Sequence, residues 1–280
     1  MRKCIVVLVV LAMVASAQAA PSSYSNDFEG YSAYLTTANN GNLFFNESNI
    51  NADGSYTADG WMSYWSWGAE RDPLSVIPSG GPYGGSPSGY GDTIGLTNLD
   101  GTNAHGISRA IGSAVDLAGG DTVEMTVKVN ASAQASGGTS AMYVGTSYLM
   151  SAATPDNYSG IYFNSAGAGN MVQNPLGAEP ALTGTLEAAA GWSEIKLVIY
   201  SAYHDGYEFD TTFMDVYSGA VGGALTLRGT YGASSLYTPT HIALNPNLGT
   251  TYDDLSVVVT PEPMTIALLG LGGLFLRRRK

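Results

Sequence analysis

Thr122-Val123-Glu124-Met125-Thr126-Val127-Lys128-Val129 alternates without a break. Val123, Met125, Val127 and Val129 fall on one side, and Thr122, Glu124, Thr126 and Lys128 on the other. A period of two is the period of a strand with one buried and one solvated face. Working outward, residues 141–150, 192–200, 211–217, 224–231, 241–244 and 252–259 also read as strands, the last with Leu255, Val257 and Val259 on one face. Clusters of Gly, Asn and Pro separate them, notably at 78–91 and 167–180. No long segment before the last twenty residues carries apolar side chains at helical spacing, and no fixed repeat is present. The chain is therefore expected to be all-β, a two-sheet jelly-roll sandwich rather than a propeller or solenoid.

Both ends of the chain read differently from the body. Arg2 and Lys3 precede an apolar stretch at 5–14, followed by Ala17-Gln18-Ala19, the small-residue pattern of a signal-peptidase site. Removal of residues 1–19 after passage through the general secretion machinery is expected. At the other end Pro261-Glu262-Pro263 is followed by thirteen uncharged residues, 264–276, and then by Arg277-Arg278-Arg279-Lys280. A helix over 264–276 reaches about 20 Å, short of the roughly 30 Å of a hydrocarbon core. The basic cluster stays cytoplasmic by the positive-inside rule, which places the body across the membrane. The expected organisation is a signal peptide at 1–19, a β-sandwich domain at 20–260, and a tail at 261–280 with a short transmembrane segment at 264–276.

This tail resembles the PEP-CTERM sorting signal of Gram-negative, biofilm-forming bacteria. Pro261, Glu262 and Pro263 match its tripeptide, 264–276 its hydrophobic segment, and Arg277, Arg278, Arg279 and Lys280 its basic end. The resemblance implies an exosortase-type membrane protease as partner, with cleavage near the tripeptide and a final place at the cell surface or in the matrix. A second resemblance is a pattern of about a dozen residues. Asp27-Phe28-Glu29-Gly30 and Tyr252-Asp253-Asp254-Leu255-Ser256-Val257 look like the first and last strands of concanavalin A-like or carbohydrate-module jelly rolls. It implies paired terminal strands and a role among glycans.

Composition narrows the partners. Five basic residues (Arg71, Arg109, Lys128, Lys196, Arg228) lie between the two terminal signals, whereas all 23 acidic residues except Glu262 lie there, a net charge near −17. Such a field disfavours nucleic acid and anionic membrane surfaces. Divalent cations and extracellular polysaccharide remain compatible. The one cysteine, Cys4, leaves with the signal peptide, so the domain depends on its core rather than on disulfides.

Several residue groups are candidates for chemistry. Asp27, Glu29, Asp253 and Asp254 converge if the end strands pair. Carboxylates there, with backbone carbonyls, suit a structural Ca²⁺, and the jelly-roll resemblance implies such an ion. Trp61, Trp65 and Trp67 share one face of a strand, where indoles either stack on sugar rings or fill the space between sheets. Asn49 to Ser55 begins like a calcium loop, but Gly60 stands where the twelfth-position glutamate belongs. Glu208-Phe209-Asp210 opens like a glucanase motif whose last glutamate is missing. His105, His204 and His241 lack zinc spacing. The expected role is noncatalytic association with extracellular polysaccharide. The alternatives are a glycan-active hydrolase or lyase, and a purely structural matrix protein.

Overall fold

The computed structural model describes residues 22–26, 28, 57–58, 61–65, 74–77, 93–96, 105–112, 115–132, 140–146, 158–164, 166, 169–172, 183–189, 191–204, 209–233, 236–246 and 250–261. Within them the strands are β1 (Ser22–Asn26), β2 (Thr57–Ala58), β3 (Trp61–Trp65), β4 (Leu74–Ile77), β5 (Thr93–Leu96), β6 (His105–Ala110), β7 (Thr122–Asn130), β8 (Ser140–Gly145), β9 (Tyr158–Phe163), β10 (Gly169–Val172), β11 (Ser193–His204), β12 (Phe209–Ala220), β13 (Thr226–Gly232), β14 (His241–Asn245) and β15 (Thr251–Thr260). They form two antiparallel sheets. The first runs β13-β12-β11-β7-β15-β5-β4, with β1 also paired to β15; the second runs β10-β9-β8-β14-β6-β3-β2. This is the expected all-β, two-sheet sandwich of jelly-roll type. The expected signal peptide and the expected hydrophobic tail segment lie outside the described residues.

The core follows from the alternation that opened the reading. Val123, Met125, Val127 and Val129 are fully buried, as are Ile195, Leu197, Ile199, Met214 and Val216 of the neighbouring strands. From the second sheet Ile107, Met142, Val144, Ile161, Phe163, Ile242 and Leu244 meet them in one cluster. Each such side chain contributes about 1.5–3 kcal/mol by leaving water. Tyr252 of β15 crosses the sandwich: its hydroxyl reaches the carbonyls of Ala141 (2.9 Å) and Asn245 (3.3 Å) in the second sheet.

Two expectations about strand limits need correction. The opening strand is Ser22–Asn26, upstream of the quoted Asp27-Phe28-Glu29-Gly30; Phe28 has φ of 55° and lies outside any strand. A bulky residue at positive φ is unusual. Here Asn26 Oδ1 accepts from the Phe28 N–H at 2.8 Å and turns the ring into the core. Likewise β10 lies inside 167–180, which had read as a divider. The pairing of the terminal strands is as anticipated, with Ser22 opposite Val259 and Asn26 opposite Leu255.

The β15 strand carries a bulge. Its register against β7 slips between Asp253 and Ser256, and Asp254 takes φ of 45°. A bulge leaves one residue out of the ladder, and aspartate tolerates the left-handed region better than most residues do. Lys128 of β7 pairs with the Asp254 carboxylate.

Candidate functional site

The tryptophan row is not an exposed platform at Trp61. That side chain is fully buried, 6.3 Å from the Tyr24 ring and 6.1 Å from Phe28. An indole enclosed on all sides offers no face to a sugar. Trp65 belongs to β3, opposite His105, and Trp67 lies outside the described residues.

The terminal carboxylates are half visible. Asp27 and Glu29 lie outside the described residues. Asp253 is buried and its Oδ1 accepts the Asp254 N–H at 2.7 Å, while the Asp254 carboxylate is held by Lys128. Among the described residues no three His, Cys, Asp or Glu side chains gather as a metal cluster. Asp253 and Asp254 by themselves do not make a calcium site. Of the tripeptide Pro261-Glu262-Pro263, expected to serve in sorting, only Pro261 is described, directly after β15; Glu262, Pro263 and the basic cluster are not. Glu208 is likewise outside, and Asp210 is exposed on β12.

A group of polar and aromatic residues lies on the face of the second sheet turned away from the main core, most of them buried. Directly opposed residues of an antiparallel ladder share a face, so register alone lays them out in rows. His241, Gly145 and Tyr158 form one row; Ala243, Tyr143 and Gly160 the next; Asn245, Ala141 and Tyr162 the third. Ser108 of β6 flanks Ala243 on the other side. Tyr143, Tyr158 and Ala243 pack together apart from the main core, and the two rings meet edge-on at 5.1 Å. Glycines and alanines between the tyrosines let the rings lie along the sheet. A Cβ at Gly160 would overlap the Tyr143 ring and the Met142 carbonyl oxygen.

Polar atoms on this face are left wanting. Ser108 Oγ and Asn245 Oδ1 are buried with no hydrogen-bond partner. A buried orphan of this kind costs about 1–3 kcal/mol. Burial holds the Tyr143 hydroxyl far above the usual phenol range, with Tyr158 and Tyr162 adding to it. The Tyr143 hydroxyl is therefore neutral, able to donate and to accept a hydrogen bond.

The imidazole of His241 is oriented by its neighbour. Thr240 Oγ1 lies 2.7 Å from the Thr146 carbonyl and 2.8 Å from His241 Nδ1. The single hydroxyl proton goes to the carbonyl, so Nδ1–H donates to Oγ1 and the neutral ring carries its lone pair on Nε2. Burial lowers the His241 pKa. A histidine depressed in the folded state stabilises above its unfolded pKa and loses that contribution as pH falls through it toward the folded value. Unfolding midpoints should therefore fall as pH drops below about 6.5, and His241→Asn should flatten that slope. Equal slopes in both proteins would show that His241 is not the group responsible.

The outer face of the first sheet is different in kind. Lys196 sits 3.4 Å from Glu124 and 5.1 Å from the centre of the Tyr217 ring. The Tyr200 and Phe213 rings stack at 5.9 Å, and Thr230 Oγ1 donates to Asp215 at 2.6 Å. Burial first, and Asp215 second, push the Tyr200 hydroxyl up to about 12. The strands of the first sheet hold Glu124, Glu194, Asp210, Asp215, Asp253 and Asp254, whereas those of the second hold no acidic residue at all.

No known family model matches the sequence, and no curated protein does. Solved structures similar in architecture include the seed lectin of Lotus tetragonolobus, 10% identical, covering 74% of this chain and 95% of that one with a TM-score of 0.41. The exoplasmic/lumenal domain of VIP36, in its Ca2+/Man-bound form, is 11% identical over 76% of this chain and 88% of its own, TM-score 0.44. A carbohydrate esterase of the Shiga toxin-encoding bacteriophage phi24B is 12% identical over 79% and 97%, TM-score 0.40. These likenesses are of architecture, and identities so low leave no residue correspondence to transfer.

Proposed function

We propose that this is an exported, noncatalytic protein of the cell surface or extracellular matrix that binds extracellular polysaccharide through half-exposed side chains of its second sheet, Tyr162 and His241 among them. It reaches that place through removal of residues 1–19, transient retention in the inner membrane by 264–276, and processing at Pro261-Glu262-Pro263 by an exosortase-type protease. The observation that carries the binding role is the half-exposed tyrosine and histidine set among glycines and alanines on strands that hold no acidic residue. Sugars present CH groups that stack on rings and hydroxyls that hydrogen-bond to such side chains.

A lyase is the second reading, and His241 is what favours it. The imidazole is held neutral with its lone pair on Nε2, the state a proton-abstracting base requires. A hydrolase needs two carboxylates about 5–9.5 Å apart, and the strands of this sheet supply none.

The test is a polysaccharide array probed with the processed protein, with Ca²⁺ and with chelator, alongside Tyr162→Ala and His241→Ala. Both side chains are half-exposed, so the free protein should lose little stability. Affinity should nonetheless fall about fivefold to tenfold. Retention of full affinity by both variants would move binding off this face. Depolymerisation of the bound glycan would establish the enzyme instead. Absence of both binding and turnover would leave a structural matrix protein. Binding lost with chelator would assign a calcium ion a part in it.

A further inference from the structure

The sorting tripeptide leaves the fold with no linker. Thr260, the last residue of β15, is still paired with Thr122 of β7, and Pro261 follows it at once. One residue earlier, Val259 is paired on both sides, with Val123 of β7 and with Ser22 of β1; so is Val258, with Glu124 and Ser23. Between Thr260 and the apolar Met264 there are four residue steps, about 14 Å when fully extended. The headgroup layer on one side of a bilayer takes up about 5–8 Å of that. A folded domain bearing the tail therefore stands almost flush on the membrane. The β11–β12 hairpin makes the fit tighter: Ile199 is level with Val123, and the chain continues four residues further to the exposed Tyr203, about 13 Å.

A protease cutting at the tripeptide has to seat extended chain on both sides of the bond. The residues on the amino side are those of the ladder. We propose that the β1–β15–β7 ladder is a brake on tail removal, so that the sorting protease acts on chain whose last β15 residues have unzipped. This rests on the sorting reading given above. The opening unit is small. β1 is five residues long and, among the described residues, pairs with β15 alone. Its inward anchor is Tyr24, whose ring lies edge-on to Trp61 with the Arg109 guanidinium 4.1 Å above it. Short terminal elements of this kind open far below the global unfolding free energy, and proteolysis then tracks the population of the opened form.

The same topology places the other processing site at this end. A cut after Ala19 leaves two residues before Ser22, the first paired residue of β1. Signal-peptide removal therefore precedes docking of β1, and docking of β1 then sets the brake on the tail.

The test uses the tail-bearing full chain, processed at its N-terminus, in proteoliposomes with an exosortase-type protease. Ser23→Cys with Val258→Cys places a cysteine pair across β1 and β15. Opposed residues of an antiparallel ladder lie at disulfide spacing, and the mature chain has no other thiol. Ser23 is exposed, so the pair stays out of the core. Oxidation is expected to slow tail cleavage about tenfold or more relative to the reduced form of the same protein. A Gly-Ser linker inserted between Thr260 and Pro261 should speed cleavage and remove the difference between oxidised and reduced forms. Equal rates for the oxidised and reduced pair without the linker overturn the brake while leaving the sorting reading intact. No cleavage of any form, the linker variant included, overturns the sorting reading and the brake with it.

Discussion

Gly160→Val should cost about 3–4 kcal/mol of stability, a large effect for adding three carbons. Gly160 sits in β9 opposite Tyr143 of β8, and it is buried. A Cβ there would meet the Met142 carbonyl oxygen and the Tyr143 Cα as well as the Tyr143 ring. The ring can swing aside, but the backbone atoms can move only if β8 and β9 separate. A displaced ring also loses its edge-on contact with Tyr158, worth about 0.5–1.5 kcal/mol. Replacing glycine restricts the unfolded chain and returns about 0.4–1 kcal/mol, which does not offset the overlap. Urea unfolding of the two proteins measures the difference. A midpoint shift equivalent to less than about 1 kcal/mol would show that the strands yield more easily than this packing implies. Polysaccharide binding should weaken in the same variant, since Tyr143 belongs to the proposed face.

The parts of the fold legible in the sequence are those where one sheet face is solvated. β7 alternates perfectly because Glu124, Thr126 and Lys128 look outward while their neighbours look inward, and β15 shows the same pattern on its last turns of register. β9 was silent for the opposite reason. It is covered on both faces, and Tyr158, Ser159, Gly160 and Ile161 are all buried, so no alternation exists to be read. β10 was hidden by glycine and asparagine, which usually punctuate chains but here lie in a strand paired with β9. Strand ends were the least legible. β11 and β12 run on as a hairpin to His204 and from Phe209, held by pairing with each other rather than by a pattern of their own.

The candidate site was largely illegible. Ser108, Tyr143, Tyr158, Tyr162, His241 and Asn245 come from four strands, and only sheet order brings them together. Their one local trace is Tyr158-Ser-Gly160-Ile-Tyr162, with rings at alternate positions either side of a glycine. The carboxylates that the sequence brought forward were more conspicuous because they are adjacent in the chain. Asp254 nevertheless serves the bulge and its contact with Lys128, a role that no spacing rule announces.

Trp61→Ala should destabilise the domain by about 3–5 kcal/mol, as expected of a large aromatic removed from a core. Against a total of about 5–15 kcal/mol that is a third of the stability or more. The loss would spread beyond β3, because Trp61 supports Tyr24 of β1 and Phe28 at its positive φ. Trp61→Phe separates shape from polarity. It keeps a ring in the site and deletes the indole N–H, which is buried without a partner, so part of the lost packing is offset by removal of an unsatisfied donor. That variant should therefore cost less than half of what the alanine does. A surface platform predicts the reverse pattern. There Trp61→Ala would leave the unfolding midpoint almost unchanged and abolish glycan binding, because a stacking ring contributes to the complex and little to the free protein. Measuring midpoint and glycan affinity for both variants separates the two roles, and full burial of the indole puts the effect on the midpoint.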